Sequence, residues 1–89
     1  MKASLTMLVR QQLGCLERIL RVVRHRGFTI NDLSVTPDAL ANHYVMTLSV
    51  ESSRGINLLT NQLVKLFEVE ELTLDSGQKV KGVNYAKSA

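Results

Sequence analysis

Cys15, His25 and His43 are the side chains best suited to act as nucleophile, general base or metal ligand, and their spacing supports none of these roles. No pair has the Cys-x-x-Cys or His-Glu-x-x-His spacing that turns two donors toward one metal ion. Cys15 falls in the first turn of an expected helix, where the positive helix end can lower a thiol pKa. It has no His or Asp beside it, so a small buried apolar role is expected instead. There is no Ser/His/Asp set, no phosphate-binding glycine loop and no dinucleotide fingerprint. A catalyst is not expected, and no cofactor or metal is expected on this chain.

A different group of residues suits binding. Arg18, Arg21 and His25 stand at i, i+3 and i+7, with Val22 beside them. That spacing puts them in one stripe on the outer face of a helix. Guanidinium heads are planar, multi-donor and favoured at interfaces, so this stripe is the expected docking surface for a protein partner. Charge supports it. Residues 1–30 carry six Lys/Arg and one Glu, whereas residues 31–89 carry five Lys/Arg and seven Asp/Glu.

The elements that must position these groups follow from periodicity. Leu16 to Phe28 reads LERILRVVRHRGF, and with the preceding Leu13 the residues Leu16, Ile19, Leu20 and Val23 fall on one helix face. Glu17, Arg18, Arg21, Arg24 and His25 fall on the other. Gly27 stands where a left-handed cap is wanted. Ala3 to Val9 alternates as a strand with Ala3, Leu5, Met7 and Val9 on one side. Phe28, Ile30, Leu33 and Val35 mark a second strand whose broken alternation implies a bulge. His43 to Glu51 is a third strand, with Tyr44, Met46, Leu48 and Val50 inward. Ser52 or Ser53 is placed to cap a second helix burying Ile56, Leu59, Leu63, Leu66 and Phe67. Val69 to Leu74 is a fourth strand. Residues 76–89, with Gly77, Gly82 and three lysines, read as a flexible basic tail, with a weak signal for a short strand at Val80–Tyr85.

The order strand, helix, strand, strand, helix, strand is that of a ferredoxin-like α+β sandwich: two helices on one face of a four-stranded antiparallel sheet. The other face and the edges are left uncovered, with Leu5, Met7 and Leu8 on a central strand, so a homodimer or another partner is expected. RNA-recognition domains share this order, but they stack bases on aromatics of the middle strands. Those strands here offer Met and Leu, so nucleic acid is not an expected ligand. One cysteine gives no internal disulfide, and no apolar run approaches the roughly 20 residues a membrane span needs. The cytoplasm is the expected location, with no membrane contact.

The chain resembles the ACT domain, a small regulatory module that pairs with itself and often binds an amino acid. The resemblance rests on Gly14-Cys15-Leu16 after the first strand, on Arg26-Gly27-Phe28, and on Ile30, Leu33 and Val35. LERILRVVRHRGF is similar to the matching stretch of the small regulatory subunits of acetohydroxyacid synthase (acetolactate synthase) of the isozyme II type. The second half, with Asn61-Gln62-Leu63, Lys65-Leu66 and Val69, agrees more loosely. The resemblance covers residues 3–75, so 1–75 is expected to be one ACT domain and 76–89 the tail.

The resemblance implies a non-catalytic subunit that raises the activity of a large subunit. That large subunit uses thiamine diphosphate, Mg²⁺ and FAD to condense pyruvate with a second 2-oxo acid, early in the synthesis of valine, leucine and isoleucine. It also implies an effector site built from Gln11, Leu13, Gly14 and Cys15 of one protomer and Thr29 and Ile30 of its neighbour, for a branched-chain amino acid. Gly14 would let backbone approach that ligand closely. Valine-sensitive members have Asn at the positions of Gln11 and Thr29, so weak or absent valine feedback is expected. The alternative is a free-standing ACT domain that senses an amino acid for another enzyme or a transcription factor.

Overall fold

The computed structural model describes residues 1–77 and 79–81. Its elements are β1 (Lys2–Arg10), α1 (Cys15–His25), β2 (Thr29–Pro37), β3 (His43–Glu51), α2 (Asn57–Leu63), β4 (Val69–Leu74) and β5 (Lys79–Lys81). The strands form one antiparallel sheet in the order β2-β3-β1-β4-β5. This is the expected ferredoxin-like sandwich, extended from four strands to five. β5 lies within the stretch read as tail. Residue 78 and residues 82–89 lie outside the described residues, and with them most of the expected Val80–Tyr85 strand.

Alternation along the strands builds the core. Leu5, Met7 and Val9 of β1 stand opposite Leu48, Met46 and Tyr44 of β3. With Val50, Val69 and Leu72 they meet Cys15, Ile19 and Val23 of α1 and Leu59 and Leu63 of α2 in one cluster. Burying each of these large aliphatic side chains contributes about 1.5–3 kcal/mol. Cys15, only 3% exposed, is a small member of that core.

β1 is the central strand expected, and the sheet face it leaves uncovered is not its apolar one. Leu5 and Met7 point inward and are covered by the helices. The open face is a polar one. Thr6 sits between Thr47 and Thr73, and the Ser4 and Ser49 hydroxyls lie 3.0 Å apart. Leu8 and its neighbour Val45 are its aliphatic exceptions.

Each helix is shorter than its hydrophobic pattern. Gly14 takes φ 77°, so α1 starts at Cys15 and Leu13 is left fully exposed rather than on the buried face. α2 begins after Ile56, with no side-chain cap. The Ser52 hydroxyl instead accepts the Arg54 N–H at 3.1 Å, in a turn ahead of the helix. α2 ends at Leu63, so Phe67 is outside it and 64% exposed. The end of α1 is as expected. Gly27 adopts φ 85°, its N–H donates to the Arg24 carbonyl, and that of Phe28 donates to Val23. This is a Schellman cap, followed by the buried Phe28 ring.

Candidate functional site

The β1–α1 loop, residues 11–14, forms a cleft over the N-terminal end of α1. Gln11, Leu13, Gly14, Cys15 and Glu17 line it, and Tyr44 of β3 closes one side. Gly14 carries the loop into the helix through its left-handed backbone, and a Cβ there would meet nothing within 4 Å. The space over this residue is therefore open. Thr29 and Ile30 line a second cleft with Arg24, Gly27 and Phe28, at the other end of α1. An 11-residue helix is about 16 Å long. One protomer thus brings Gln11, Leu13, Gly14 and Cys15 together, and holds Thr29 and Ile30 apart from them.

Two polar clusters anchor the loop. In the first, the Arg10 N–H donates to the Glu68 carbonyl and the Gln11 N–H to the Asn42 carbonyl, both at 2.7 Å. The Arg10 guanidinium reaches Glu70 at 2.6–2.8 Å, and the other Glu70 oxygen lies 2.9 Å from His43 Nε2. The register of β4 slips between its pairs with Leu8 and Val9, which makes Glu70 the extra, bulged residue. A bulge re-aims a side chain, here toward both cations.

His43 Nδ1 is 2.8 Å from the Ala41 carbonyl. Both ring nitrogens therefore face acceptors, and only the imidazolium can donate to both. The Ala41 carbonyl and the Glu70 carboxylate accordingly raise the His43 pKa, against an opposing desolvation effect. Burial pushes Glu70 up, but Arg10 and His43 outweigh it and hold the carboxyl below its ordinary range.

In the second cluster, Arg18 Nε donates to Glu68 at 2.5 Å. Its guanidinium also reaches the Leu13 carbonyl at 3.4 Å. Glu68 is 1% exposed. Burial pushes its pKa up, yet its own backbone N–H, Arg18 and the more distant Lys81 ammonium bring it below the ordinary value. The expected docking stripe is therefore divided. Arg21 and His25 are exposed and Val22 is half-buried, but the Arg18 head is committed to an internal ion pair. Sequence reasoning gave no role to Tyr44, Glu68 or Glu70 at this site. An acidic run, Glu68-Val69-Glu70-Glu71, reads as solvated surface unless the bulge is known.

The ACT-domain profile matches residues 11–72. The chain belongs to the ACT-domain family. This ACT domain is 41% identical over 59 residues to the acetolactate synthase isozyme 2 small subunit of Escherichia coli K12, covering 66% of this chain and 68% of that one. It belongs with these regulatory small subunits, which are not the catalytic component.

Among solved structures, the acetolactate synthase small subunit of Thermotoga maritima superposes with a TM-score of 0.74 at 23% identity, over 83% of this chain. This ACT domain spans about half (47%) of that subunit. The ACT domain of the Chlorobium tepidum GTP pyrophosphokinase superposes with a TM-score of 0.67 at 15% identity, over 88% of this chain and 89% of the other. These two likenesses establish the fold. No helix among the described residues is long and apolar enough to cross a membrane.

Proposed function

We propose that this ACT domain binds and activates the catalytic subunit of an acetolactate synthase in the cytoplasm, with weak or no feedback by valine. The observation that carries this reading is the 41% identity to the isozyme 2 small subunit over two thirds of its length. Thiamine diphosphate, Mg²⁺ and FAD belong to the catalytic partner in this account. Activation requires only that the domain bind the active conformation of that partner better than the inactive one.

The working form is a homodimer. β2, with its nine residues Thr29–Pro37, is the edge of the sheet and leaves one side of its backbone free to pair. The two halves of the effector site lie at opposite ends of α1, so a small amino acid can touch both only across two protomers. Gln11 and Thr29 then meet that ligand without the short amides of the valine-sensitive members.

Co-expression with the catalytic subunit tests the proposal. A complex that co-elutes on size exclusion is expected. Separate elution at micromolar concentrations contradicts it.

A further inference from the structure

The C-terminal end of α1 carries more positive charge than the fold uses. Arg21, Arg24, His25 and Arg26 fall within the six positions 21–26 and are all exposed, with only Val22 and Val23 between them turned inward. Arg54, from the turn before α2, lies over Gly27, where a Cβ would come within 3.4 Å of its Nε. Among the described residues the ion pairs use Arg10, Arg18 and His43. Arg21, Arg24, Arg26 and Arg54 have no carboxylate partner there. The helix dipole presents about half a negative charge at this end, which one cation more than satisfies. The remaining guanidiniums repel one another.

The patch has an apolar floor. Leu58 of α2 is 45% exposed and lines a groove with His25, Arg26, Arg54 and Gln62. Next to it, half-buried Leu20 lies between Glu17, Arg21 and Arg24.

We infer that this surface, centred on His25, Arg26, Arg54 and Leu58, docks against an acidic surface of the catalytic subunit. The inference rests on the proposed function and names the surface and partner chemistry for it. Planar guanidiniums would fork onto carboxylates of the partner, and Leu58 would seat an apolar side chain among them. A second copy of this chain does not fit, because a two-fold contact through the patch would set arginines against arginines. Nucleic acid fits poorly. Among the described residues the patch has no exposed aromatic for base stacking, since Phe28 is buried.

Binding of the immobilised catalytic subunit should be measured for the wild type, for Arg26→Glu with Arg54→Glu, and for Arg26→Gln with Arg54→Gln. Each is read at about 50 and about 300 mM NaCl, where screening of exposed charges differs strongly. The wild type is expected to weaken at least about tenfold across that range. The Glu pair is expected to lose roughly 100-fold or more at low salt, and the Gln pair to fall between, with unchanged circular dichroism. If the Glu pair does not fold, the folded Gln pair decides. Wild-type binding with variants within about threefold overturns the docking surface and leaves the proposed function standing. No wild-type binding at either salt overturns the proposed function itself. Retention of single-stranded DNA by the wild type at about 150 mM NaCl, lost in the Glu pair, also overturns the assignment.

Discussion

Arg18 Nε lies 2.5 Å from a Glu68 carboxylate oxygen that is otherwise sealed from water, joining α1 to the segment that leads into β4. The pair has unequal ends: Arg18 is 46% exposed and Glu68 1%. Deleting the arginine leaves a buried carboxylate without its main partner. That costs about 3–5 kcal/mol for fully buried pairs and less here, because water reaches the Arg18 side.

Arg18→Ala should therefore destabilise the domain by about 1–3 kcal/mol, and Arg18→Glu by more, since it sets two carboxylates together. Glu68→Gln in the Arg18→Ala background should recover part of the loss by removing the buried charge. Urea unfolding followed by circular dichroism checks this. A loss below about 0.5 kcal/mol for Arg18→Ala would show that the pair is a surface decoration. It follows that Arg18 substitutions are poor probes of docking, because they act first on the fold.

Stability should also depend on pH through His43. Its pKa in the folded protein is raised above the ordinary 6.5, so its stabilisation is complete below that pH and is lost as pH rises through the folded value. Glu68 and Glu70 have pKa values lowered from 4.5, so their stabilisation is present above 4.5 and is lost as pH falls through the folded values. Melting temperature should peak between these limits, near pH 5–6. His43→Gln should flatten the alkaline side of the curve and weaken the acid side in part, because His43 also holds the Glu70 pKa down while Arg10 and Glu68 keep the rest. An unchanged alkaline slope in that variant would show that the ring does not hold the loop as an imidazolium.

Valine should inhibit the reconstituted enzyme poorly. A buried zwitterion needs both ends matched, and each unmatched end costs about 1–3 kcal/mol. Having the longer Gln11 and the amide-free Thr29 where two short amides are wanted weakens binding by roughly 2–4 kcal/mol, or about 30- to 1,000-fold. Gln11→Asn with Thr29→Asn should confer sensitivity. Half-inhibition of the unmodified complex at sub-millimolar valine contradicts this account of the site.

Local chemistry explains which features were legible in the sequence. β3 alternates without competing signals, and its bounds at His43–Glu51, like those of β4 at Val69–Leu74, are those read from the sequence. The bulge near Asn31 was visible as a break in alternation, and Gly27 as a cap. Leu13 and Phe67 were misplaced because each helical pattern continues beyond the backbone that supports it. Gly14 turns left-handed before α1, and α2 stops at Leu63. The loop Gln11–Cys15, which lines a cleft at the start of α1, was legible from Gly14 and its neighbours. Tyr44 was not, because its place depends on long-range pairing with Val9. Nor was the Glu70 contact with Arg10 and His43, which exists only once β1, β3 and β4 lie side by side.

The most direct test of the central claim is a turnover assay of the cognate acetolactate synthase catalytic subunit, titrated with this protein. A saturable, several-fold rise in acetolactate formation is predicted. The rise should reach its plateau at a fixed molar ratio and should need no added amino acid. Turnover that stays flat up to a large excess of the protein, with the catalytic subunit loaded with its own cofactors, would contradict the account.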